Sequence, residues 1–261
     1  MNFVVLVKQT PDISLVKIDD NAGEVQLADA GGTINPSDEY AVEEGIRLKE
    51  RFGGKTTILT VGSEKAESTI RACLALGADE GILLCDEQFN GSDSQATAKI
   101  LAAGLNKIAD YTLVIGGKQS ADEESGQTPA AVAALLDVPG VGFVKKIEDI
   151  KDNIVIVQRT TEDGYDKLEV SLPVILACEK EIADPRLPSL KGKMAAKKKT
   201  ITRWSASDLG LDSSAIGANS ATKRLKVSSP PPRKPGEFVE GETPAEIADK
   251  LYKKLKADQV L

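Results

Sequence analysis

The chain has 261 residues, 41% hydrophobic and 28% charged, which suits a globular protein that buries its core in one large domain or a domain with an appendage. Forty acids against 33 bases leave a net charge of −7, and only 4% of residues are aromatic, so neither a polyanion-binding surface nor a stacking platform for nucleic acid is expected. Histidine is absent, which excludes imidazole acid–base chemistry, Ser-His-Asp and Cys-His nucleophiles and His-ligated metals in one step.

In chain order, Phe3–Val7 is a β-branched run of the kind that forms a fully buried parallel strand, and similar runs recur at 56–61, 81–85 and 112–116. Helical patterns separate them. Over 38–52, Ala41, Val42, Ile46, Leu48 and Phe52 share one side, while Glu39, Glu43, Glu44 and Lys49 lie elsewhere as solvated acids and bases. Residues 64–76 and 93–109 read the same way. Thr128 followed by Pro129 marks a helix start, with the hydroxyl at the cap and proline in the first turn. Strands alternating with helices predict a parallel sheet covered on both faces. Beyond about residue 140, 154–158 and 168–172 read as antiparallel strands around a Glu162-Asp163-Gly164 turn, and 172–177 as a further apolar run. The stretch 191–203 is basic and acid-free, 228–236 is a proline-rich extended segment, and 243–258 spaces Ile247, Leu251 and Leu255 as an amphipathic helix. The expected organisation is an α/β domain over 1–190, a doubly wound, mainly parallel sheet of adenine-nucleotide-binding type. A basic linker and extended C-terminal arm with a helix follow over 191–261, packing on a partner subunit.

No run approaches about 18 apolar residues, and MNFVVLVKQT lacks the long apolar stretch of a signal peptide, so no membrane insertion and a cytoplasmic location are expected. Cys73, Cys85 and Cys178 are odd in number and without CxxC spacing, and read as core thiols of a reducing compartment rather than metal ligands.

Open parallel sheets bind ligands where their strands end. Lys8 to Asp12 follow the first strand, Gly62-Ser63 follow Val61, and the strand at 112–116 runs into Gly117-Lys118-Gln119-Ser120-Ala121-Asp122-Glu123-Glu124-Ser125-Gly126-Gln127-Thr128. Small residues, hydroxyl and amide donors and the free N–H groups of a helix start suit a phosphate, with Lys118 adding charge complementarity. Tight strand-to-helix connections favour the same residue types, so this reading stands beside a purely structural one. GxxxxGK[ST] and GxGxxG are both missing. Asn90-Gly91-Ser92-Asp93-Ser94 faintly echoes an adenylating-enzyme pyrophosphate loop but reads better as a helix start, with Ser92 the cap and Asp93 in the first turn. The pairs Glu43-Glu44 and Glu123-Glu124 are adjacent and do not face each other, so no catalytic residue is assigned.

Val5–Lys8, Asn35-Pro36 leading into Ala41-Val42-Glu43-Glu44, Ile70-Arg71, Leu76-Gly77-Ala78-Asp79, Gly117-Lys118-Gln119, Gln127-Thr128 and Pro185-Arg186-Leu187-Pro188-Ser189-Leu190, together with the basic run Lys197–Lys199, occur in an order and spacing that resembles the electron transfer flavoprotein β subunit over nearly the whole chain. The resemblance implies a heterodimer with a larger α subunit that mainly holds the redox FAD. Electrons would pass from dehydrogenases, such as an acyl-CoA dehydrogenase, to a downstream acceptor. It implies a structural AMP in the β subunit, contacted by Leu6, Asn35, Pro36, Ser37, Asp38, Val61 and the Gly117–Thr128 loop, and a docking loop over 178–200 with Leu190 as anchor beside Arg186 and Lys191. Ser37 replaces an aromatic common in respiratory relatives, and Ile13 replaces a tyrosine that approaches the flavin. The 185–194 stretch resembles anaerobic-type members, some of them electron-bifurcating with a second FAD in place of AMP. An ATP-dependent adenylating enzyme and a stand-alone nucleotide-sensing module are the competing readings.

Overall fold

Val4 and Val5 have no exposed surface, because the strand that carries them is covered on both faces. The computed structural model describes residues 1–26, 30–233 and 235–261, and divides into two units, Met1–Val227 and Ser228–Leu261. In the first unit, β1 (Asn2–Leu6) is followed by four short strands, β2 (Gln9–Thr10), β3 (Lys17–Asp19), β4 (Glu24–Gln26) and β5 (Thr33–Ile34). These pair off as two small antiparallel ribbons, β2 with β5 and β3 with β4. Then come α1 (Pro36–Phe52), β6 (Lys55–Val61), α2 (Glu67–Leu76), β7 (Glu80–Leu84), α3 (Ser94–Ile108), β8 (Leu113–Gly117) and α4 (Thr128–Leu136). The unit continues with β9 (Gly140–Lys151), β10 (Ile154–Thr161), β11 (Gly164–Ser171), β12 (Val174–Cys178), α5 (Leu190–Lys198) and β13 (Thr202–Trp204).

One nine-stranded sheet runs β11-β10-β9-β12-β8-β1-β6-β7-β13. From β9 to β13 neighbouring strands are parallel, and β10 and β11 extend it as an antiparallel hairpin whose last pair is Thr161 with Gly164. Alternation sorts the core into two layers. Phe3 and Val5 face the layer under α1 and α2, with Ile58 and Ile115, while Val4 and Leu6 face the layer under α3 and α4, with Leu59 and Val114. The short β-branched runs form strands because burial on both faces rewards a continuous apolar sequence.

Three sequence expectations differ from the structure. The strand β9 has no forerunner in the sequence reading, since its buried residues Val141, Val144, Ile147 and Ile150 recur every third position. Register shifts against both neighbours insert extra residues and break the two-residue alternation of a flat strand. The basic stretch after 190 forms α5, packed on α2, and then β13, paired to β7 at the sheet edge. Glu43 and Glu44 are 3% and 7% exposed rather than solvated, because a segment more than a hundred residues later folds over α1.

The second unit carries α6 (Pro244–Ala257), whose first turn is capped by Thr243 accepting from the Glu246 amide at 3.2 Å. Residues 228–233 form neither helix nor strand, as Pro230-Pro231-Pro232 dictates, and Lys234 within the expected extended segment lies outside the described residues. Among the described residues, no helix is long and apolar enough to cross a membrane.

Candidate functional site

From β1 the chain order runs outward through β6 and β7, then returns to place β8 on the other side of β1. The connections leaving β1 and β8 therefore diverge to opposite faces and open a crevice at their carboxyl ends. A cavity of 320 Å³ lies there, floored by Leu6, Val61, Leu101 and Pro129 and walled by Lys8, Asn35, Asp38 and the segment after β8.

Asp38, in the first turn of α1, ties the two strand ends together. Its carboxylate accepts the Lys8 amide at 2.7 Å and the Gly117 amide at 3.0 Å. Burial pushes its pKa up to about 7, against the pull of those two N–H groups and of Asn35. Asn35 precedes α1 and leaves the helix uncapped by its side chain, which reaches the loop after β8 instead. There its amide donates to the Gln119 carbonyl at 2.9 Å and its oxygen accepts the Ala121 amide at 3.0 Å. Gly117 has no room for a side chain: a Cβ would lie 2.6 Å from the Ser37 carbonyl carbon and collide with Asp38. Glycine is required here by the close approach of α1.

The loop over 118–127 folds back across the cavity. Lys8 Nζ meets Asp122 at 2.7 Å and Glu123 at 3.6 Å, and burial of Asp122 is outweighed by bonds from Lys8 and Ser120 that keep its pKa below the ordinary value. On the far side Ser125 and Ser94 hydroxyls meet at 3.2 Å, closing the loop against the start of α3. Lys118 lines the cavity, but its ammonium pairs with Glu179 at 3.2 Å and lies 5.0 Å from the Phe143 ring centroid. Gly126 takes φ +62°, a turn that leads straight into α4.

The starts of α3 and α4 are handled differently. Asp93 caps α3, accepting the Ala96 amide at 2.8 Å, and Ser92 instead accepts the Gly217 amide at 2.9 Å, which reverses the expected roles of those two residues. At α4 the cap position is Gln127, with no side-chain cap bond, and Thr128 is the first helical residue rather than the cap. The start of α4 thus borders the cavity through Gln127, Thr128 and Pro129 with no side-chain cap bond, an arrangement that suits an anion. An apolar floor, a rim of hydroxyls and an uncapped helix start fit a heterocycle joined through a sugar to a phosphate.

Of the residues expected at a nucleotide site, Leu6, Asn35, Asp38, Val61, Gly117, Lys118, Gln119, Ser120, Asp122, Glu123, Ser125, Gly126, Gln127 and Thr128 line this cavity. Pro36, Ser37, Ala121 and Glu124 do not; Ala121 acts through its amide on Asn35. Sequence reasoning missed Ser92, Ser94, Thr97 and Leu101, since attention to strand ends overlooks the helix that flanks them. Three hydroxyls within six residues of an expected helix start were the available signal. Cys73 and Cys178 are buried core thiols whose pKa values burial raises.

A second feature lies against α1 and α2. Leu190 opens α5 and is 76% exposed, with Lys191 also exposed. Arg186 is not presented to solvent as they are. Its guanidinium is bonded to Glu43 and Glu50 of α1.

The family model described as Electron transfer flavoprotein domain matches residues 24–209. The chain belongs to the electron transfer flavoprotein β-subunit family. It is 39% identical, over the full length of both chains, to the electron transfer flavoprotein subunit beta of Thermoanaerobacterium thermosaccharolyticum. The same identity and coverage relate it to the caffeyl-CoA reductase-Etf complex subunit CarD of Acetobacterium woodii. The electron transfer flavoprotein subunit beta of Bacillus subtilis is 35% identical, covering 99% of this chain and 98% of its own. Electron transfer is thus the work of this family member, and the carboxylates at its cavity serve as ties between strand ends and loop.

Proposed function

We propose that this chain is the smaller subunit of a heterodimeric electron transfer flavoprotein, holding AMP as a permanent structural group in the cavity at the ends of β1 and β8. FAD, held mainly by the α subunit, supplies the redox chemistry when bound. This chain positions that subunit, docks dehydrogenases such as an acyl-CoA dehydrogenase through the region around Leu190, and is not itself an enzyme. The observation that carries the reading is the uncapped start of α4 opening into a hydroxyl-rimmed, apolar-floored cavity. Its 320 Å³ sits near the low end of the roughly 300–1,000 Å³ typical of ligand sites, which favours a mononucleotide over a dinucleotide. In this reading Leu6 and Val61 would hold the adenine and the start of α4 would hold the phosphate.

The second reading places another FAD in the same cavity, as in an electron-bifurcating complex. The likeness to CarD, a subunit named for a complex of Etf with a reductase, favours it. Purifying the chain with its natural α subunit, denaturing the complex and identifying the released nucleotides by absorbance and mass separates the two. One FAD and one AMP per heterodimer is the expected result. Two FAD without AMP installs the second reading, and no adenine compound, or steady turnover of ATP, removes both.

A further inference from the structure

Pro185 to Ala206 carries seven basic residues and no acid in a chain whose net charge is −7. The structure divides those cations by task. Arg186, Lys199 and Arg203 bond inward, to carboxylates of α1, to the Ala78 and Asp79 carbonyls, and to Glu64 and Glu67. Lys191, Lys193, Lys197 and Lys198 are exposed and pair with no carboxylate among the described residues. Among these outward lysines stand Leu187, Leu190 and Met194, 91%, 76% and 59% exposed.

The chain leading to that apolar face has little to hold it. Residues 183–189 make neither helix nor strand and contain two prolines. Arg186 supplies what the backbone lacks. It reaches Glu43 through Nε at 2.8 Å and Nη2 at 3.0 Å, and Glu50 through Nη1 at 2.6 Å and Nη2 at 3.0 Å, while its own amide donates to Glu43 at 3.2 Å. Glu43 is buried and also accepts Arg47 Nε at 2.7 Å, and Arg47 donates onward to the Asp184 carbonyl at 3.1 Å. Burial opposes the charge on Glu43, but the two arginines outweigh it and hold its pKa below the ordinary value. A guanidinium suits this fork because its donors are planar and fixed. At the other end of the face, α5 is held on α2 by Arg71, which donates to the Ala196 carbonyl at 2.9 Å, and by Gly192, where a Cβ would collide with the Ala75 carbonyl oxygen.

We propose that Arg186 is a positioning residue: it locks residues 183–189 onto α1 so that Leu187, Leu190 and Met194 form a preformed docking face, and it does not itself touch the partner. This rests on the reading that the face docks a dehydrogenase. The matching surface is an apolar pocket rimmed by carboxylates that meet the four outward lysines. Ordering the segment before encounter removes a cost that association otherwise bears, so the lock acts on affinity and leaves the electron-transfer step unchanged.

The test uses the complete heterodimer, with an acyl-CoA dehydrogenase reduced by its thioester as probe. Arg186→Met is expected to speed hydrogen exchange of the amides over 187–195, to raise KM for the probe about tenfold and to leave kcat and nucleotide content unchanged. Glu50→Gln, at an exposed carboxylate with small folding risk, should move both readouts the same way by roughly two- to threefold. Arg186→Lys should fall between wild type and Arg186→Met, since one ammonium cannot fork. The dependence of log KM on log salt should keep its wild-type slope in all three variants, because the lysines that meet the partner remain. Unchanged exchange over 187–195 overturns the lock, and a raised KM with a shallower salt slope makes Arg186 a direct contact. Leu190→Ala serves as the separate control, expected to raise KM without altering exchange. If it does not, or if the wild-type complex takes no electrons from the probe, the docking reading falls, and with it the partner half of the proposal, while exchange alone decides the lock.

Discussion

Glu44 shows how far a single side chain can depart from what its neighbours in sequence imply. It is 7% exposed, lies near Cys178 and the paired Glu43, and burial raises its pKa to about 7, partly offset by Arg47 and Arg51. An acid whose folded pKa exceeds its unfolded value binds its proton more tightly in the native state. Its stabilising contribution is therefore complete below the ordinary glutamate value of 4.5 and is lost as pH rises toward about 7. Glu44→Gln removes that loss. The variant is expected to melt higher than wild type at pH 8 and close to it at pH 4.5, in a pair of thermal scans. An equal difference at both pH values counts against the buried, partly neutral state. Asp38 carries the same sign of linkage, but its two backbone donors make it a tie between strand ends, so substituting it would disturb the cavity as well.

At the scale of elements, α1 serves two sites from one helix. Its first turn, through Asp38, sets the ends of β1 and β8, and its middle, through Glu43 and Glu50, holds the segment before α5. Gly117→Ala tests the first role. The added methyl meets the Asp38 carboxylate together with the Ser37 backbone carbon, and that carboxylate is tied to both strand ends, so the strand end or the helix start must shift. The expected result is a loss of about 1–3 kcal/mol in urea unfolding, with release on purification of the nucleotide proposed for this cavity. Retention of nucleotide at wild-type stoichiometry would show that the cavity does not depend on this close approach. Asp93 caps α3, whereas α4 starts without a side-chain cap bond, so of the two only α4 leaves its opening amides without a side-chain acceptor.

For the whole molecule, the division after Val227 separates a sheet unit with its own two-layer core from a unit that carries α6. Leu251 and Tyr252 of α6 are 44% and 53% exposed, and Phe238 before it is 96% exposed. Such apolar surface gains by burial against another chain. Removing Ser228–Leu261 is expected to leave cooperative unfolding of the first unit intact while weakening retention of the α subunit in size-exclusion chromatography. Undiminished pairing would assign the α-subunit contact to the sheet unit alone.

What the sequence determined by itself was whatever depends on neighbours along the chain. The buried strands announce themselves as continuous apolar runs, the helices as one-sided patterns, and the loop after β8 as a polar stretch at a strand end. Most of the cavity wall was legible for that reason. The family was legible too, because its motifs keep their order. Contacts between distant segments were decided only by the tertiary structure. The strand β9 hid behind bulges that turned its alternation into a three-residue spacing. Ser92, Ser94 and Thr97 joined the cavity because α3 lies beside it, and Arg186, expected from the resemblance beside the docking anchor, is bonded to Glu43 and Glu50, more than 130 residues earlier. Local periodicity records which face of an element is buried; it carries no record of which remote side chain arrives to neutralise a buried charge.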